Sequence, residues 1–181
     1  MPADLDISQS ATLTDVAMCV NRYRLATPGI YVCVHAQVQL IPEIRLVPGL
    51  IAQVNYGKHK QCDAGDYKLF SGPPNFVFDV FKEGEIGEYE TRRQHFEQAG
   101  VLEYAAWHNG APLPSWDRLV DGTFREITED EPGLITSTAL PGLWLPIKPL
   151  QDRDWWTILA SIDRGISRRP HHEFMEAIWN A

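Results

Sequence analysis

Residues 73–107 read PPNFVFDVFKEGEIGEYETRRQHFEQAGVLEYAAW, and this stretch decides the fold. Residues 75–81 alternate poorly but are almost wholly apolar, the pattern of a strand buried on both faces. A helix over 88–99 follows, with Tyr89, Phe96 and Ala99 turned inward and Arg92 and Arg93 between them. Gly100 stops that helix in a left-handed conformation, and residues 101–107 return as a second strand. Two strands joined by a helix predict a parallel pair. The first strand carries one ionisable group, Asp79, between Phe78 and Val80. An isolated carboxylate there costs on the order of several kcal/mol unless it is paired, hydrated or metal-bound. Asp79 is therefore the first candidate functional residue.

Upstream, residues 1–10 read as a loose tail, and a helix capped by Thr12 or Thr14 runs to about Leu25. Strands are expected over 30–35 and 37–41, then over 44–54, where Pro48-Gly49 marks a bend or edge. Residues 55–74 lack periodicity and read as a long loop. Downstream, short antiparallel strands cover 115–120, 123–127, 134–138 and 143–147, with Asp121-Gly122 as a hairpin turn. The end is helical: one helix is capped by Asp152 or Asp154, and a short final one starts at His172. These elements predict a single domain over 1–181 of α/β or α+β class, with C-terminal helices over 150–181.

Composition narrows the function. The 181 residues are 44% hydrophobic and 22% charged, which suits an ordinary globular domain rather than a disordered chain. No apolar run is long enough to span a membrane, and the acidic start MPADLDISQS does not read as a secretory signal. Cys19, Cys33 and Cys62 are odd in number and lack paired or zinc-ligand spacing, so a reduced, cytoplasmic setting is expected. The net charge of −8 counts against broad, non-specific nucleic-acid binding but leaves room for a local basic groove. Lys58, Lys60 and Lys68 form one basic group and Arg164, Arg168 and Arg169 another, each read as a solvated face. His35 reads as a satisfied core histidine, and His171-His172 as surface or dimer-contact residues. Trp155 and Trp156 are adjacent on a helix and cannot both face one core. One is expected to be exposed, which points to a homodimer.

Residues 73–104, together with VNRYRLATPGIYV, the LVPG strand, DGTFREI and LITSTALPGLWLPIKPL, resemble the Uma-type restriction endonuclease family. Gly100-Val101, Glu103-Tyr104 and Pro141-Gly142-Leu143 fall at that family's spacings, and the resemblance covers about residues 20–166. It implies a restriction-endonuclease-like PD-(D/E)xK fold, a mixed sheet flanked by helices. It also implies phosphodiester hydrolysis of DNA with Mg2+ or Mn2+. Carried over by position, the first carboxylate falls at Gly49, the second at Asp79 and the Lys at Arg92; Glu88 matches an acidic residue before the Lys. Gly49 offers no ligand. Asp79 withdraws its charge by a methylene where Glu is usual, and a displacement of about 1 Å costs on the order of 100-fold in rate. Arg92 replaces a compact ammonium with an always-charged fork. The resemblance thus implies a nuclease framework with weakened or lost activity, in which Asp79 and Arg92 are the catalytic candidates and Asp79 and Glu88 the metal candidates. The alternatives are an active endonuclease in which Glu83, Glu85, Glu88 or Asp66 replaces the missing ligand, and a non-catalytic homodimeric module. An Arg92–Asp79 ion pair would close the metal's place altogether.

Overall fold

The computed structural model describes residues 5–66 and 68–179. A six-stranded mixed sheet forms its centre. In chain order its strands are β1 (Ile30–Val34), β4 (Leu50–Val54), β6 (Phe76–Phe81), β7 (Glu103–His108), β8 (Ser115–Val120) and β9 (Thr123–Glu126), and they lie side by side in that order. β6 and β7 are parallel, Phe76 opposite Glu103 and Asp79 opposite Ala106, with α2 (Ile86–Ala99) as the connection. The other neighbours in this sheet are antiparallel.

Both faces are covered, which explains the near-continuous apolar strands. Phe76 and Phe78 point to the side of α1 (Ile7–Ala26), α4 (Trp155–Ile166) and α5 (Arg169–Trp179), packing with Tyr23, Ile158, Ile162 and Phe174. Val77 and Phe81 point the other way, toward Phe96 of α2 and toward Val38 and Leu40 of β2 (Val38–Ile41). β2 belongs to a small three-stranded sheet with β3 (Ile44–Leu46) and β5 (Phe70–Ser71). A separate hairpin joins β10 (Leu134–Thr136) to β11 (Trp144–Pro146), and α3 (Ile147–Asp152) follows it. No helix among the described residues is long and apolar enough to cross a membrane.

Several boundaries differ from the expectations. The expected tail is helical from Ile7, because Asp6 and Gln9 form a reciprocal cap: Gln9 N–H donates to the Asp6 carboxylate and Asp6 N–H to the Gln9 amide oxygen. Residues 1–4 of that tail lie outside the described residues. The expected 44–54 strand is two strands in two sheets, since the chain leaves one and enters the other at Pro48-Gly49. The long loop carries a 3-10 turn at Gly57–His59, pinned by Asn75. The Asn75 side chain accepts from Val54 N–H at 2.8 Å and donates to the His59 carbonyl at 2.9 Å. The last helix begins at Arg169, with Pro170 in the first turn where its missing N–H costs nothing.

Candidate functional site

Asp79 sits on the α2 side of β6 and is 4% exposed. The strand fixes its backbone, and the elements around it supply partners. Gly49 N–H, at the entry to β4, donates to one oxygen at 2.6 Å. Arg92 of α2 donates to the other through Nη1 at 3.4 Å, and the Tyr104 hydroxyl of β7 donates to the same oxygen at 3.3 Å. Burial pushes the Asp79 carboxyl above its ordinary range, while Arg92, the Gly49 amide and Tyr104 pull it back. The Tyr104 phenol is raised by burial first and by the Asp79 charge next.

All three nitrogens of the Arg92 fork have partners. Nη1 also donates to the Val47 carbonyl at 3.2 Å, and Nε and Nη2 both reach Glu88 Oε1 at 3.1 Å. Burial works against the Arg92 charge, but Asp79 and Glu88 outweigh it and the guanidinium is held more firmly than usual. Arg92 thus stands between Asp79 and Glu88 and touches both. The i, i+4 spacing on α2 brings Glu88 to it.

Gly49 answers the question its position raises. A Cβ there would lie 2.9 Å from the Phe78 carbonyl oxygen and 3.4 Å from a Leu13 methyl. Side chains essentially do not approach backbone so closely, so a carboxylate needs the β4–β6 pair to move apart. The cleft above Asp79 is lined by Gln9, His35, Lys82, Glu85, Glu88 and Arg92. Gln9 and His35 were invisible as site residues. Gln9, 2% exposed, reaches the cleft only because α1 starts early. His35 is an exposed residue in the left-handed region, φ 50°, at the end of β1, not a core histidine. Its sequence signal, a polar residue ending an apolar run, is generic.

The remaining candidates are held by other partners or lie away from Asp79. Asp66 is exposed and pairs with Lys68 at 3.1 Å, and the Glu85 side chain caps Lys82 N–H at 2.8 Å. His171 is buried at 4% rather than at the surface. The Pro170 start of α5 turns it inward, where Nε2 lies 2.9 Å from the Thr27 hydroxyl. His172 is exposed. Trp156 is 84% exposed while Trp155 is partly covered, as the adjacent pair required.

A magnesium or manganese ion asks for oxygen lone pairs, commonly from one or two carboxylates. Asp79 offers about four lone-pair positions, and three face protein donors. Among the described residues no group of three His, Cys, Asp or Glu side chains is placed to hold an ion. The donor set does not fit a divalent metal at Asp79.

No family model and no curated protein matches this chain. Among solved structures, a candidate nuclease belonging to DUF820 from Anabaena variabilis is similar, with a TM-score of 0.63 over 83% of each chain at 13% identity. The two proteins share a fold. That fold is the expected mixed sheet flanked by helices.

The sheet carries two further buried ion pairs. Arg93 donates to both oxygens of buried Asp117, at 2.9 and 2.8 Å, and to the Phe124 carbonyl at 3.3 Å. Glu103, fully buried, accepts from Arg118 Nε at 3.1 Å, Thr138 N–H at 2.8 Å, and the hydroxyls of Thr138 and Ser137. Arg118 extends the network to Asp130 and the Thr136 carbonyl, tying the β10–β11 hairpin to the central sheet. Glu103-Tyr104 is thus a junction: Glu103 anchors the hairpin and Tyr104 supports Asp79.

Proposed function

We propose that this chain is a restriction-endonuclease-like domain whose metal-dependent hydrolytic centre is closed, and that it acts as a non-catalytic module on DNA. The carrying observation is the internal occupation of Asp79. Gly49 N–H, Arg92 and Tyr104 fill the coordination that a nuclease leaves to metal and water. A metal-dependent nuclease uses the ion to polarise the scissile phosphate and to generate the attacking hydroxide. Here a cation of the protein itself stands at the carboxylate and offsets its charge. DNA as the ligand class follows from the nuclease-like fold and the Uma-type resemblance.

One observation favours a second reading. Glu85 and Glu88 line the same cleft as Asp79. If Arg92 swung out with Glu88, two carboxylates would face one another and Mg2+ or Mn2+ would have a place. A cleavage assay on duplex and single-stranded DNA with each metal separates the two. The closed-centre reading expects intact DNA with both metals and duplex binding in fluorescence anisotropy that weakens with salt. Metal-dependent cutting abolished by Asp79→Asn establishes the second reading instead.

A further inference from the structure

β1 is the edge of the central sheet, pairing with β4 on one side and with no strand on the other among the described residues. Its sequence, Ile30-Tyr31-Val32-Cys33-Val34, has no charge, proline or bulge. Proteins normally blunt an exposed apolar edge with such devices, because open N–H and C=O groups recruit further strands.

The register tells which groups are open. Asn55 N–H donates to the Gly29 carbonyl and His35 N–H to the Gly49 carbonyl, so odd-numbered residues of β1 bond to β4. The backbone groups of Ile30, Val32 and Val34 point away from the sheet. These three are related by a two-fold axis through Val32. An antiparallel copy placed there sets Val32 opposite Val32, Ile30 opposite Val34, and Tyr31 opposite Cys33. Every outward donor then meets an outward acceptor, in hydrogen-bonded pairs. No like charges oppose one another despite the −8 on each chain. An open groove beside β1 is lined by Tyr31, Cys33 and Val34 together with Lys68, Leu69 and Phe70. Val34 is 53% exposed, so its side chain gains cover on pairing.

We propose that β1 is a self-association edge, through which two copies of this chain join their sheets antiparallel about Val32. This places the dimer contact at β1 rather than at Trp156. The paired area is small, so association is concentration-dependent rather than obligate.

Sedimentation velocity over a wide concentration range tests it. The expected result is a monomer–dimer equilibrium in the wild type. It should shift to monomer in Val32→Pro, which deletes an outward N–H at an edge where proline is tolerated, and in Val34→Lys, which adds a charge at an exposed position. An unchanged thermal unfolding midpoint shows that each variant folds. Oxidation of Tyr31→Cys by copper–phenanthroline and air tests the register, since residue 31 then faces Cys33 of the partner subunit in a close, non-hydrogen-bonded pair. A covalent dimer is expected, and wild type under the same oxidant should give none. A concentration-independent monomer overturns the proposal, as does a dimer that survives both variants or fails to cross-link.

Discussion

Replacing Arg92 with Met leaves the Asp79 carboxylate buried with only the Gly49 amide and Tyr104 hydroxyl to neutralise it. The side chains of the pair are 19% and 5% exposed, so solvent screens the attraction weakly. At 3.4 Å and an effective dielectric of about 20, the gross Coulomb term is about 5 kcal/mol. Much of that offsets desolvation, and breaking one side of such a pair costs about 3–5 kcal/mol. The loss must also depend on pH. Burial already holds the Asp79 carboxyl above its ordinary 3.8, and removing Arg92, the largest opposing influence, raises it further. A carboxyl raised in the folded state binds protons more readily than in the unfolded chain. Its favourable contribution is complete below 3.8 and is lost as pH rises through the folded value. Arg92→Met should therefore approach wild-type stability on acidification and fall behind it toward neutrality. Urea unfolding of both proteins at about pH 5 and about pH 7.5 measures this difference. Adding Asp79→Asn to Arg92→Met should restore most of the stability at neutral pH, because no charge is then buried alone. A neutral-pH loss below about 1 kcal/mol, the range of an exposed pair, or a loss independent of pH, refutes the closed ion pair.

Other expectations follow from the same geometry. Gly49→Asp, which returns a carboxylate to the position the resemblance marks, should destabilise by about 1–3 kcal/mol through overpacking against the Phe78 carbonyl. It should not create Mg2+-dependent cleavage in a plasmid-nicking assay. Glu103→Gln turns an amide NH2 toward groups that now donate to Glu103, and should cost at least about 3 kcal/mol in urea unfolding. Far-ultraviolet circular dichroism should show that the central sheet is retained. His171 is held below its ordinary 6.5 by burial first and by His172 next, so its folded state disfavours the proton. The stability tied to it is present above 6.5 and lost as pH falls through the lower folded value. Thermal unfolding from about pH 8 to about pH 5 should show a decline that flattens in His171→Gln.

The strand–helix–strand unit was legible because its signals are local: an apolar run, helical spacing, and Gly100 at φ 88°. The parallel pairing of β6 with β7 followed from connection rules alone. The partition of residues 44–54 between two sheets was not legible, since Pro48-Gly49 fits a bend within one sheet as well as a passage between two. The start of α1 was missed because Thr12 and Thr14 offer caps further along the chain than the true one at Asp6, and Gln9 as a cleft residue was missed with it. Of the site, the residues were nameable but their contacts were not. Asp79 stood out as a charge in a buried strand, and its attachment to Arg92 depends on how α2 lies across the sheet. The Gly49 amide bond to Asp79, and the crowding that bars a side chain at Gly49, arise from a strand approach that spacing does not encode. Glu103, Arg118 and Asp130 meet across distant segments, so their network has no sequence signature. His171 was misread because the last helix starts before it, at Arg169, and turns it inward to Thr27.

The most direct test of the closed centre is a Mn2+ titration of the purified chain and of Asp79→Asn, followed by electron paramagnetic resonance of free Mn2+. The prediction is that both proteins leave the free signal rising alike from the first addition, with no site that Asp79 governs. Saturable uptake of one ion per chain by the wild type, lost in Asp79→Asn, would contradict it.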